Sequence, residues 1–511
     1  MHCSLHCGST GAVVEGIVAP ETSKPMTPSP RLTLDHLHHR YGDRYKWLLL
    51  LTVMVGMMAS IVSSTIVNVA IPAMSRYFVI GQERAQWISA GFMVSMTLSL
   101  SLTPWLLRTY GMRRTYMSAV LLLMCGGIVG GLSGNFTLMI CARVAEGIAA
   151  GVMQTIPSVV ILRMFQPHEQ GRAMGIFGFG VVLTPAIGPT VGGLLVEYFG
   201  WRSIFFVVVP FCLIALALSR RFLPHAAMEP AGRVALDWRG LLWLSAATLC
   251  LLNGLVQVHN LNLALLLLAL GFAGLASFVW YELRQTEPLL QLRLFLQPQF
   301  AMGAIVAFIY GIGLFGSTYL LPIFLQTALG YSASGAGFVL LPAGLAMAIC
   351  MPIAGRLADK LQASRLVVTG VLMMTASLAL MVSVNEHSAY IALLLWVAVG
   401  RIGLSLILPA LSIGTVRGLE PTEIPQATSM SSLMRQLGGV IGISLVGIAL
   451  ESRLRAHGVD LVSSSGIDPN RLAAFDEIFV FLAVICFTAA IAAWFMKPVK
   501  HRHRPATTTQ M

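Results

Sequence analysis

Long apolar runs separated by short polar breaks dominate the chain from residue 47 onward. Six runs come first, at 47–74, 85–107, 115–134, 136–162, 173–198 and 202–219. Two follow at 240–257 and 261–281, and then six more at 300–326, 333–354, 366–384, 389–414, 428–450 and 473–496. A helix needs about 20 apolar residues to cross the roughly 30 Å hydrocarbon core of a bilayer, and these runs meet or approach that length. The pattern predicts an all-α polytopic membrane protein with 14 transmembrane helices, arranged as two six-helix bundles with two additional helices between them. The expected organisation is a polar tail over 1–46, an N-terminal bundle over 47–221, a linker with two helices over 222–299, a C-terminal bundle over 300–497 and a short tail over 498–511.

Composition agrees, since 56% of residues are hydrophobic, 11% are charged and the mean hydropathy is +0.79. Most of such a chain cannot face water. The net charge of +12 invites a nucleic-acid partner, but Lys and Arg are scattered between apolar runs and build no basic face with interleaved aromatics. The charge instead orients the protein. With both termini inside, about 24 of the 33 basic residues fall in cytoplasmic segments, as the positive-inside rule requires.

Cys125, Cys141, Cys212, Cys250, Cys350 and Cys486 sit in apolar runs and read as small hydrophobes, with no structural disulfide expected. The first tail, in which Met26 is an alternative start, carries no signal-peptide core and reads as disordered and cytoplasmic. His2, Cys3, His6 and Cys7 cluster there, but no second ligand group follows at zinc-finger spacing, so neither a metal nor a cofactor is expected. No zinc-protease helix, phosphate-binding loop or serine elbow points to an enzyme.

Gly178 to Gly193, GFGVVLTPAIGPTVGG, holds five glycines and two prolines within one helix-length run. In a bilayer, glycines three and four apart let backbones approach, and neighbouring helices re-satisfy the carbonyls freed by Pro185 and Pro189. Close packing alone would account for this composition. The order Gly188, Pro189, Gly192, Gly193 also resembles the antiporter motif of major facilitator exporters. Bulk at Gly188 or Gly192 is expected to hold the bundles apart.

Further phrases are similar to the fourteen-span drug:proton antiporters of the EmrB/QacA type. Ser64 to Pro72, STIVNVAIP, resembles their first-helix signature, although Ser63 stands where members usually carry an aspartate. In LTPWLLRTYGMRR, Gly111, Arg113 and Arg114 match the basic loop that latches the cytoplasmic side, with Arg108 at the aspartate position. Members that work with a periplasmic adaptor look similar here, so the resemblance implies an EmrB-like subgroup, an adaptor and an outer-membrane channel as partners, and the bacterial inner membrane as location. The positive-inside rule alone would also explain these arginines.

Asp237 to Gly240 and the phrase FVWYELRQTEPLLQLRLF, with Glu282, Pro288, Leu289, Leu292 and Phe295, resemble the family's linker. GRLADKLQASR, with Gly355, Arg356, Asp359 and Lys360, repeats the basic loop with its aspartate intact.

Arg143 and Glu146 are the most expensive residues of the first half. A lone charge deep in the bilayer costs about 2.5 kcal/mol or more, and these two share a helical face at i, i+3. Members show a glutamine at the position of Glu146, so a carboxylate is gained here while one is lost at Ser63. Glu146 either carries the coupling proton, released or bound as its contact with Arg143 tightens or loosens, or permanently neutralises Arg143. Asn68, Trp87, Met93, Gln154, Phe308, Tyr310, Tyr319 and Arg435 are expected to line the substrate cavity, whereas Arg401, a buried charge of the second half, is expected to cap or snorkel. The resemblance implies a major facilitator fold and a secondary active exporter of amphipathic, including cationic, toxic compounds by proton antiport with alternating access. Export of a particular metabolite or siderophore, or sensing without transport, are the other readings.

Overall fold

The computed structural model describes residues 39–80, 82–224, 235–256, 261–285, 288–384, 388–459 and 468–496. The expectations for residues 1–38, including the cluster at His2, Cys3, His6 and Cys7, and for 498–511 lie outside the described residues. Regular structure among the described residues is helical throughout. The first half comprises α1 (Arg44–Phe78), α2 (Gln82–Leu132), α3 (Phe136–Met164), α4 (Gln170–Phe199), α5 (Ser203–Phe206) and α6 (Val208–Phe222). Two further helices, α7 (Trp238–Val256) and α8 (Leu261–Glu282), precede the second half. That half comprises α9 (Pro298–Ile323), α10 (Ala333–Lys360), α11 (Ala363–Met381), α12 (Tyr390–Val416), α13 (Ile424–Ala456) and α14 (Pro469–Trp494).

Eleven helices among the described residues are long and apolar enough to cross a membrane. One of them, α2, is 51 residues long and would span about 76 Å as a straight rod. It breaks at Gly111, whose φ of 76° and ψ of 165° a side chain adopts only under strain. The Thr115 hydroxyl donates to the Leu106 carbonyl at 3.0 Å, nine residues back, where a continuous helix would separate these levels by about 13 Å. The chain therefore turns sharply at Gly111. Helix starts carry the expected caps: Asn135 accepts from the Leu138 N–H at 2.7 Å and Ser332 from the Gly335 N–H at 3.1 Å, satisfying otherwise orphaned donors.

Each half has its own core. Buried residues such as Leu49, Tyr116, Ile156 and Cys212 form one cluster in the first half, while Tyr310, Phe324, Phe475 and Phe479 belong to the cluster of the second. A third cluster joins Leu162 of α3, Phe278 of α8, Leu290 and Leu294 of the linker, and Phe300 and Ile424 of the second half. The linker is thus packed structure. Asp237 accepts from the Gly240 N–H at 2.9 Å and the Tyr281 hydroxyl at 3.0 Å, and Glu282 accepts from the Leu290 N–H at 2.6 Å. By contrast, only 17% of the most apolar window of α8 is buried within the protein, so Leu265, Leu266 and Phe272 present an apolar surface suited to lipid.

Candidate transport site

Small residues draw the helices of the first half around Arg143. A Cβ added at Gly147 or Gly151 would collide with the backbone carbonyls of Phe92 and Met96 on α2, so α3 can lie this close only with glycine there. Arg143 and Glu146 are fully buried as a result. Arg143 Nη1 donates to Glu146 Oε2 at 2.5 Å and to Ser63 Oγ at 3.1 Å, and Arg143 Nε donates to the Ile88 carbonyl at 3.0 Å. Phe92 places its ring 4.4 Å from the guanidinium carbon, a cation–π contact. The guanidinium therefore ties α1, α2 and α3 together. Ser63 touches that group, so a carboxylate on α1 at residue 63 would face the arginine that Glu146 now neutralises from α3.

The expected cavity residues separate into two groups. Asn68, Trp87, Met93 and Tyr319 are exposed, and Asn68 accepts from the Ser89 hydroxyl at 2.7 Å. Gln154, Phe308 and Arg435 are half-buried. Tyr310 is buried, with only 2% of it exposed, and its ring joins the core of the second half. Arg401 does not snorkel. It sits 11 residues inside α12, and its Nη1 donates to the Thr318 hydroxyl of α9 at 3.1 Å.

The glycine-rich α4 has two working ends. Near its start, added Cβ atoms at Gly175 and Gly178 would meet Met351 of α10 at 2.6 and 2.9 Å, and Gly171 abuts Gly355. Near its end, a Cβ at Gly188 would lie 2.8 Å from Thr65 Oγ1 of α1, and one at Gly192 would overlap Ile66. This corrects the expected role of Gly188 and Gly192. They seat α4 against α1 of their own half, and the glycines that bring the two halves together lie one to two turns past the helix start. Pro185 is exposed, and Gly193 has no neighbour within 4 Å of an added Cβ; Pro189 continues the helix.

The two basic loops also differ. Arg113 donates to the Leu223 and Arg220 carbonyls, each at 3.1 Å, closing the end of α6 within the first half, while Arg108 is half-buried and Arg114 exposed. Asp359 crosses between halves. Its two oxygens accept from the Gly171 and Arg172 N–H groups at 2.6 and 2.8 Å, at the start of α4, where a helix favours negative charge. Gly355 is buried beside it, whereas Arg356 and Lys360 are exposed. Arg163 adds a second tether between halves by donating to the Pro421 carbonyl at 2.5 Å. Both tethers lie on the side that carries the basic loops.

Two helical bundles meeting through close-packed glycines, with charged groups enclosed among their helices, define a membrane transporter. The Major Facilitator Superfamily model matches residues 53–443 and 303–510, and the chain belongs to that superfamily. It is 29% identical over 539 residues to "Multidrug resistance protein B homolog" of Mycobacterium tuberculosis, covering 97% of this chain and 98% of that protein. It is 24% identical over 445 residues to "Lincomycin resistance protein LmrB" of Listeria innocua, covering 86% and 94%. Among solved structures, it resembles the proton:xylose symporter XylE with a TM-score of 0.63 at 14% identity, covering 89% of this chain and 96% of that one. It also resembles the human organic anion transporter MFSD10 with a TM-score of 0.65 at 15% identity, covering 88% and 99%. These two likenesses concern the fold alone.

Proposed function

We propose that the protein is a multidrug exporter that extrudes amphipathic toxic compounds in exchange for protons, with Glu146 as the proton carrier. The observation that carries this reading is the Arg143–Glu146 pair, buried in full and placed against Ser63. A coupling group must hold its proton differently in the two facing states. Burial favours the neutral carboxyl and a touching guanidinium favours the carboxylate, so a movement that separates the pair binds a proton and one that restores it releases the proton. The names of the relatives support the drug-export part.

In this reading the basic side faces the cytoplasm and is closed by Asp359 and Arg163. The EmrB/QacA type is supported by the α7–α8 pair and the packed linker. Fourteen crossings follow if α2 counts as two and α4 and α7 each span. An adaptor and an outer-membrane channel are the partners that an EmrB-like exporter would use, with the bacterial inner membrane as its location.

Everted membrane vesicles test the coupling. Wild-type vesicles should accumulate an exported dye uphill in a manner abolished by a protonophore, and Glu146→Gln should lose uphill accumulation while retaining downhill exchange. Uphill transport by Glu146→Gln at the wild-type rate eliminates Glu146 as the carrier.

A further inference from the structure

The charges enclosed by the helices do not balance. Arg143, Arg401 and Arg435 each lie at least seven residues, about 10 Å at 1.5 Å per residue, from either end of their helices. Glu146 is the matching carboxylate for Arg143. Among the described residues, α9, α11 and α12 contain no Asp or Glu; in α10 and α13 these occur only near one end, as Asp359 and Glu451, and in α14 as Asp476 and Glu477, seven and eight residues from its start. Among the described residues neither Arg401 nor Arg435 has a carboxylate within ion-pair distance, unlike Arg143, so these two interior cations of the second half are unpaired.

Their placement brings the two arginines to one region. Arg401 lies 15 residues from the basic end of α12 and Arg435 lies 11 from that end of α13, levels of about 22 and 17 Å along the respective helices. α9 packs against both helices. The Arg435 carbonyl abuts Gly311 of α9, and the Thr318 hydroxyl of α9 accepts from Arg401 Nη1 at 3.1 Å. Arg401 also lines a small internal cavity with Ser317, Ser377 and Gly400. Both arginines keep part of their surface accessible. A guanidinium cannot face acyl chains cheaply at this depth, so each calls for a polar or charged partner there.

We propose that Arg401 and Arg435 form an anion-recognition site, and that the exported compounds carry a carboxylate, sulfonate or phosphate on an apolar body. The proposal rests on the transport reading and narrows its substrate class. An anionic group supplies the counter-charge that the second half lacks, and guanidinium groups match it through charge-assisted hydrogen bonds. A cation would meet an interior that is already positive, and more positive once Glu146 takes up a proton.

The test measures binding without transport. The full chain, purified and held in nanodiscs of uncharged lipid, is presented with three probes that share one ring system: 2-naphthoate, 2-naphthamide and (2-naphthyl)trimethylammonium. Naphthoate is expected to bind most tightly, with Arg401→Gln and Arg435→Gln each weakening it about tenfold, the scale of one lost hydrogen bond to a charged group. Naphthamide binding should not change, and Arg435→Lys should retain part of the preference. Tighter binding of the cation, equal binding of all three, no binding of any, or naphthoate binding indifferent to both Gln variants overturns the proposal. Arginine-dependent naphthoate binding by a protein that exports nothing from cells would sustain the site and overturn the export reading instead.

Discussion

Around Arg143, one guanidinium holds the Ser63 hydroxyl, the Ile88 carbonyl and the Glu146 carboxylate at once. Removing Glu146 alone leaves a buried charge uncompensated, which is far more costly than exchanging one partner for another. The convergence of residues 63 and 146 on this group gives a prediction for the pair: Ser63→Asp in a Glu146→Gln background should return the carboxylate to α1 and recover part of the uphill transport lost by Glu146→Gln alone. Equal inactivity of the single and double variants, at matched expression in vesicles, would show that the position of the carboxylate matters and not only its presence. The Arg143–Glu146 contact was legible in the sequence because two expensive residues stood three apart on one helix. The contact with Ser63 was not, since it spans 80 residues and depends on how α1 and α3 pack. The burial of Tyr310 was not legible for a similar reason: an aromatic residue in an apolar helix carries no mark of which neighbour will cover it.

Among the elements, α4 distributes its glycines between two partners, so substitutions along it should produce different defects. Gly188→Leu and Gly192→Leu intrude on Thr65 and Ile66 of α1 and should destabilise the first half by about 1–3 kcal/mol, the usual cost of overpacking, with transport falling through loss of folded protein. Gly175→Leu meets the Met351 carbonyl and the Pro352 backbone of α10, which cannot yield as a side chain does. It should keep the first half folded and prevent closure of the basic side, read as increased labelling of a cysteine placed near Asp359. The opposite assignment, with closure lost in Gly188→Leu and retained in Gly175→Leu, would contradict the division of α4 into two ends. The glycine pattern itself was readable from the chain, but the same spacing serves either partner.

The basic loops make the corresponding point about latching. Asp359→Asn weakens two hydrogen bonds to a charged acceptor, for which about 1.5–3 kcal/mol each is typical. It should reduce export at least several-fold, whereas Arg108→Ala should have a smaller effect, as measured by dye efflux at equal expression. A larger defect in Arg108→Ala would place the working latch in the other loop. Asp359 stood out in the sequence as the carboxylate kept in one repeat and absent from the other. Its acceptance of backbone N–H groups from α4 could not be read there, because main-chain donors have no residue signature.

For the whole molecule, the all-helical membrane-spanning class followed from the spacing of apolar runs and the major facilitator fold from the resemblance, whereas the contact between bundles required coordinates. An anionic substrate would also set which force can drive the cycle. If an anion leaves the cell as a proton enters, both movements carry positive charge inward, so the membrane voltage acts on the two together. Each elementary charge crossing 100 mV gains about 2.3 kcal/mol. Such an exporter would be electrogenic, drawing on voltage even where the external and internal pH are equal, and would keep working in alkaline surroundings that leave a purely pH-driven antiporter idle.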